Sequence, residues 1–275
     1  MRDVKVIVLR TAGTNCDQET AFAFQRAGAS AELVHVNELR RAEKSLNDYH
    51  ILALPGGFTY GDDIASGKIL ANEIRYKLER DVQQFIADGK LIVGICNGFQ
   101  ILVKAGLLPN LAGDFQTIES TLTVNDSAKF EDRWVYLKRS RTHCVWTRGM
   151  DDIIYLPVAH GEGKFIPRDK GFLEQLKKEG LIVFRYCDEK GRGRPYPYNP
   201  NGSIEDIAGI CDPTGRIFGL MPHPERHIFP TQHPRWTRSS REKFGDGFSI
   251  FRNGVEYMRK YIKKACKVRA FSIYL

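Results

Sequence analysis

The 275-residue chain has no apolar run approaching the ~18 residues that a bilayer-spanning helix needs. Its start, Met1-Arg2-Asp3-Val4, passes straight into a strand-like run without the apolar stretch of a secretory signal, so a cytoplasmic protein with no membrane partner is expected. Its six cysteines (Cys16, Cys96, Cys144, Cys187, Cys211, Cys266) show no CxxC spacing. That excludes the usual signatures of a disulfide framework and of a zinc site, so reduced thiols and no bound metal are expected. The chain carries neither a Walker A pattern nor GxGxxG, and no nucleotide cofactor is expected on it. Repeats and low-complexity tracts are also lacking. What remains is 42% apolar and 27% charged, the composition of an ordinary globular protein, long enough to bury its own core. A single domain over 1–275 is the reading.

The formal charge of +8 is not spread evenly. Arg252, Arg259, Lys260, Lys263, Lys264, Lys267 and Arg269 flank Val255, Met258 and Ile262, which recur at helical spacing. The pattern predicts one amphipathic helix with a solvated basic face, and no nucleic-acid partner. Elsewhere, short apolar runs alternate with helical periodicities. Val4–Leu9, Ala31–His35, Ile51–Leu54 and Leu91–Ile95 read as strands; 17–27 and a long stretch carrying Ile74, Leu78, Val82, Phe85 and Ile86 read as helices. Apolar strands alternating with helices predict a mainly parallel sheet covered on both faces, an α/β fold. The second half changes character: Thr117–Val124 and Arg133–Lys138 alternate as antiparallel strands do. Ile207–Cys211 and Ile217–Leu220, split by Asp212-Pro213-Thr214-Gly215, form a predicted hairpin. The runs 191–202 and 222–240 read as loops. A small antiparallel addition to the parallel sheet is expected.

Three motifs carry chemistry. Gly94-Ile95-Cys96-Asn97-Gly98-Phe99-Gln100 follows the fourth strand and opens an apolar helix. A nucleophile between two small residues at such a junction makes a sharp elbow that presents its side chain. The helix N-terminus there favours a thiolate, and Cys96 is the candidate nucleophile. The second motif is Met221-Pro222-His223-Pro224-Glu225, directly after a strand. In extended backbone, residues i and i+2 point the same way, so the Glu225 carboxylate can orient the His223 imidazole. The imidazole can then take a thiol proton and deliver it to a leaving amine. The third is Leu54-Pro55-Gly56-Gly57-Phe58, at the C-terminal edge of a predicted parallel strand, where ligands of open α/β sheets bind. Gly56 and Gly57 could join the amide of Asn97 in an oxyanion hole.

Taken together, GICNGFQ, PHPE and LPGGF resemble the motifs of class I (triad-type) glutamine amidotransferases and follow that family's chain order. GTNCDQET, PGGFTYGDDIASGKILA, the VAHGEG run at 158–163 and NPNGSIEDIAGICDPTGRIFGLMPHPERH bring the resemblance nearest to the glutaminase subunits that serve phosphoribosylformylglycinamidine synthase. The likeness runs from Val4 to about His227 and resumes at Asp246-Gly247. It implies a flavodoxin-like α/β fold, with Cys96 as nucleophile, His223 as base and acid, and Glu225 as its orienting partner. It further implies that Gln100 and backbone near Gly57 and Asn97 hold glutamine, with His160 and Glu162 as looser candidates. A synthetase partner carrying ATP and Mg is implied, together with a small accessory subunit. Asp63-Ile64-Ala65-Ser66 departs from the aromatic and basic residues of many relatives. Rival readings are a glutaminase serving another synthetase, a stand-alone cysteine amidase, and a non-catalytic binding subunit.

Overall fold

The computed structural model describes residues 3–238 and 243–271, with 265–271 described by backbone alone. Cys266, Lys267, Arg269 and the tail 270–275 therefore lie wholly or by side chain outside the described residues. The elements are β1 (Lys5–Arg10), α1 (Asp17–Arg26), β2 (Ser30–His35), α2 (Val36–Arg40), β3 (Ile51–Leu54), α3 (Lys68–Lys77), α4 (Glu79–Ala87), β4 (Leu91–Ile95) and α5 (Asn97–Lys104). After them come β5 (Ser120–Val124), β6 (Glu131–Arg139), β7 (Ile153–His160), β8 (Glu162–Pro167), α6 (Lys170–Lys178), β9 (Ile182–Cys187), β10 (Ile207–Cys211), β11 (Ile217–Leu220) and α7 (Phe248–Phe271).

Nine strands form one sheet in the order β2-β1-β3-β4-β11-β10-β9-β6-β7. The first five run parallel, and β10, β9, β6 and β7 continue antiparallel. The antiparallel portion is thus four strands of the main sheet, with β5 and β8 as a separate ribbon, larger than the sequence suggests. The central strands β3, β4, β10 and β11 are buried at every position, as expected where helices cover both faces.

Two expectations change in detail. The long helix predicted through Leu78 is two helices that meet at that residue, whose φ of −119° is not helical. The loop expected over 222–240 is, across its described residues 222–238, built around short helical turns. In α7, Val255 and Met258 are fully buried, and Phe251 packs edge-on against Phe24 of α1 with centroids 5.0 Å apart. Its apolar stripe therefore serves the core, as its periodicity requires.

For the site, the decisive pairing is β4 with β11, which sets Ile95 opposite Leu220. Both strands point the same way, so the chain emerging from each reaches the same edge. One delivers Cys96 and the other the Met221–Glu225 segment, and the Cys96 N–H donates to the Leu220 carbonyl at 2.8 Å.

Candidate active site

Cys96 caps the start of α5 with φ 52° and ψ −107°, a conformation that side-chain-bearing residues rarely hold. Close packing sustains it. A Cβ on Gly98 would lie 1.9 Å from the Leu54 carbonyl oxygen, and one on Gly94 would lie 2.5 Å from the Gly98 carbonyl. Both glycines are therefore demanded by the approach of α5 to β3 and β4. Cys96 is only 5% exposed, and its Sγ faces the Ala159 carbonyl at 3.8 Å. Asn97 and Gly98 begin the helix, where backbone N–H groups lack intrahelical partners and positive potential collects.

His223 and Glu225 are both 2% exposed, and Nδ1 of the imidazole lies 2.6 Å from Glu225 Oε1. A carboxylate only accepts, so Nδ1 carries the proton and donates it. That leaves Nε2, buried and without a hydrogen bond of its own, as the nitrogen available to a thiol. Burial pulls the His223 pKa down, but the Glu225 carboxylate and the Cys96 and Cys16 sulfurs beside the ring more than offset it. The imidazole stands well above its ordinary range.

Cys16, read from the sequence as an inert thiol, also belongs to this cluster. Its Sγ accepts from Arg226 Nη2 at 3.1 Å, donates to Asn15 Oδ1 at 3.2 Å, and lies against the His223 ring. Burial raises its pKa and keeps it a neutral thiol. The only hint in the sequence was its place in GTNCDQET. Ligand atoms of Cys16, His223 and Glu225 lie within 4.8 Å of one another. The Nδ1–Oε1 separation is that of a hydrogen bond, whereas two donors on one tetrahedral zinc sit about 3.3 Å apart, from bonds of ~2.0 Å. The set fits a proton-relay dyad better than a metal site.

Gly56 and Gly57 line the opposite side. A Cβ on Gly56 would meet His223 Cε1 at 2.8 Å, and one on Gly57 (φ 141°) would meet the Asn15 nitrogen at 2.7 Å. Gly57 bridges Thr14, which ties this loop to the one bearing Cys16. The Asn97 side chain accepts from Thr59 Oγ1 at 2.8 Å and donates to Asp62 Oδ1 and Gln100 Oε1, each at 3.2 Å. Gln100 Nε2 in turn donates to the Glu162 carbonyl. The predicted residues thus meet at one sheet edge, although the Gln100 carboxamide already has a protein partner at each end.

His160 lies nearby and is buried, with its pKa pushed down to about 3 by desolvation and then by the neighbouring His223. Its tautomer is fixed by Asn125. That amide donates through Nδ2 to the Lys129 and His160 carbonyls and accepts through Oδ1 from the Gly163 N–H. The His160 Nδ1, 3.2 Å from the same Oδ1, must therefore donate, and its Nε2 is a bare buried acceptor.

A thiol on a strand-to-helix elbow, faced by a His–Glu dyad at the C-terminal edge of a parallel sheet, defines a triad-type α/β amidotransferase. The profile of the CobB/CobQ-like glutamine amidotransferase domain matches residues 3–258, and the chain belongs to that family. It is 50% identical to the phosphoribosylformylglycinamidine synthase subunit PurQ of Dehalococcoides mccartyi, over 94% of this chain and all of that protein. It is 43% identical to the PurQ subunit of Archaeoglobus fulgidus, over 94% and 98%. Among solved structures, a chain of PurLQS from Thermotoga maritima superposes with a TM-score of 0.71 at 30% identity, covering 94% of this chain and 100% of that one.

Proposed function

We propose that this chain is the glutaminase of a phosphoribosylformylglycinamidine synthase, hydrolysing L-glutamine to glutamate and ammonia through a glutamyl thioester on Cys96. The observation that carries the mechanism is the strained elbow that holds Cys96 opposite the His223–Glu225 dyad. His223 Nε2 takes the thiol proton, and the Cys96 sulfur attacks the side-chain carboxamide carbon. The oxyanion develops against the N–H groups of Gly57 and Asn97 at the positive end of α5, with Gly56 leaving room for the imidazole. The imidazolium, stabilised by Glu225, gives its proton to the departing nitrogen, and ammonia leaves. Water then adds to the thioester with His223 as base, glutamate departs, and the thiol is regenerated. Gln100 shapes the pocket floor by joining Asn97 to the Glu162 backbone, and each end of its carboxamide keeps capacity for one bond to substrate.

The ammonia passes to a synthetase subunit, with a small accessory subunit completing the assembly. That synthetase carries ATP and Mg and converts formylglycinamide ribonucleotide to formylglycinamidine ribonucleotide; this chain needs no cofactor of its own. The relatives' names support the assignment. So does an apolar rim beside Gly57, where Phe58 and Phe130 are 45% and 52% exposed and stack at 6.2 Å. The assembly is cytoplasmic in this reading; among the described residues no helix is long and apolar enough to cross a membrane.

Cys96→Ala tests the reading. Glutamine hydrolysis is expected to vanish, while the reconstituted synthetase still turns over with ammonium salts. Residual glutamine hydrolysis near the wild-type rate would remove Cys96 from its role.

A further inference from the structure

Lys104 is buried and takes no part in the chemistry above. It ends α5, the helix that begins at the nucleophile. Its Nζ donates to the Ser66 carbonyl at 2.6 Å and lies 3.7 Å from Glu162 Oε2. That same carboxylate oxygen accepts from the Ser66 N–H at 3.3 Å. Ser66 Oγ donates to Asp62 Oδ2 at 2.9 Å, and Asp62 Oδ1 accepts from the Gly67 N–H at 3.3 Å and from Asn97 Nδ2 at 3.2 Å. One ammonium thus stands where three segments meet: the loop 57–67, helix α5, and the start of β8 at Glu162. Two carboxylates, Asp62 and Glu162, face it there. Burial works most strongly against the Lys104 charge and draws its pKa down, Glu162 and then Asp62 support the charge, and nearby Lys68 opposes it slightly. Burial and the nearby Glu162 both work against the ionised form of Asp62.

The loop needs fastening. Tyr60, Gly61 and Asp62 have φ of 55°, 71° and 55°, three successive left-handed residues of which two carry side chains. Such backbone persists only where surrounding contacts over-determine it. The loop begins at Gly57, and its Thr59 holds the Asn97 side chain, so its position sets the glutamine pocket.

We propose that Lys104 is a positioning residue of this enzyme: by neutralising Asp62 and Glu162 it clamps the loop 57–67 onto α5 and the start of β8, and so sets the glutamine pocket. The proposal rests on the glutaminase reading and adds to it a residue that touches no reacting atom. Without the cation, the two carboxylates repel and the loop lifts away from Gln100 and Asn97. Cys96, His223 and Glu225, carried by β4 and the chain after β11, stay in place.

The test is Lys104→Met, made in the wild type and in an Asp62→Asn/Glu162→Gln background, with three readouts. In the wild type it is expected to lower kcat/KM for glutamine about ten- to a hundredfold, chiefly through KM. Alkylation of Cys96 by iodoacetamide, which requires the thiol and its histidine but not the pocket, is expected to stay within about twofold. In the neutralised background the same substitution is expected to cost less than about threefold, because the charges it balanced are gone. An unchanged kcat/KM, an equal loss in both backgrounds, or a parallel loss of alkylation would overturn the clamp. If Lys104→Met alone fails to fold, the triple variant must fold and hydrolyse glutamine; its failure overturns the proposal too. Wild-type protein that does not hydrolyse glutamine removes the glutaminase reading itself, which separates the two failures.

Discussion

The charge on His223 is a balance between burial, which opposes the imidazolium, and Glu225 with the Cys96 and Cys16 sulfurs, which together favour it and prevail, Glu225 contributing most among them. A folded pKa above the unfolded value of ~6.5 makes a definite contribution to stability. It is fully present below about pH 6.5 and is lost as pH rises through the raised folded pKa. Glu225→Gln keeps the shape of the dyad and removes the charge. The stability gap between wild type and this variant, measured by urea unfolding, is therefore expected to be widest below about pH 6.5 and to narrow at alkaline pH. The same substitution is expected to lower kcat for glutamine by about a hundred- to ten-thousandfold, the range that general acid–base assistance supplies. A pH-independent stability gap would mean that Glu225 is not what holds the proton on the ring. Cys16 shows what residue-level reading of the sequence misses: nothing in an N-terminal Asn-Cys-Asp announces contact with an imidazole more than two hundred positions later.

At the scale of elements, the elbow works because α5 is pressed against β3 and β4 with no side chain between them. Gly98→Ala drives a methyl group to 1.9 Å from backbone oxygen of Leu54, where no rotamer can relieve the clash. The expected cost is about 1–3 kcal/mol of stability, the usual range for overpacking, read as a lower urea midpoint. A further loss of kcat/KM is expected as Cys96 is displaced; a variant with wild-type midpoint and activity would show that α5 does not need this approach. The sequence exposed this element through Gly94 and Gly98 flanking Cys96 after an apolar strand, a pattern that gained its meaning from the His223-Pro224-Glu225 segment, since a buried structural cysteine fits it as well. It concealed β7. Ile153–His160 carries no element predicted from its sequence, and it holds Pro157, which cannot donate to a ladder. The strand nevertheless forms, for β7 is the outer edge of the sheet and, among the described strands, pairs with β6, while the Pro157 carbonyl accepts from the His223 N–H.

For the whole molecule, the sheet order does the assembling. Cys96 and His223 lie far apart in the chain and reach one edge because β11 inserts beside β4 in parallel register. Cys96 and His223 are both buried there, while the aromatic pair Phe58 and Phe130 beside Gly57 is open to solvent. The isolated chain is therefore expected to hydrolyse glutamine slowly and to speed up severalfold or more when the synthetase is added, measured as glutamate release. Equal rates with and without the synthetase would favour a self-sufficient amidase.

Sequence alone determined the elements whose signals are local. The buried parallel strands, the elbow glycines, the His-Pro-Glu spacing and the amphipathic last helix each depend on neighbours within a few residues, and periodicity or steric demand makes those legible. Tertiary structure decided whatever depends on partners brought from afar. Examples are the extent of the antiparallel half, the break at Leu78, Cys16 against the dyad, the Asn125-fixed tautomer of His160, and the junction of Lys104 with Asp62 and Glu162. Burial and hydrogen bonding set the protonation state of such groups, and both belong to the packed chain, since no stretch of sequence carries them by itself.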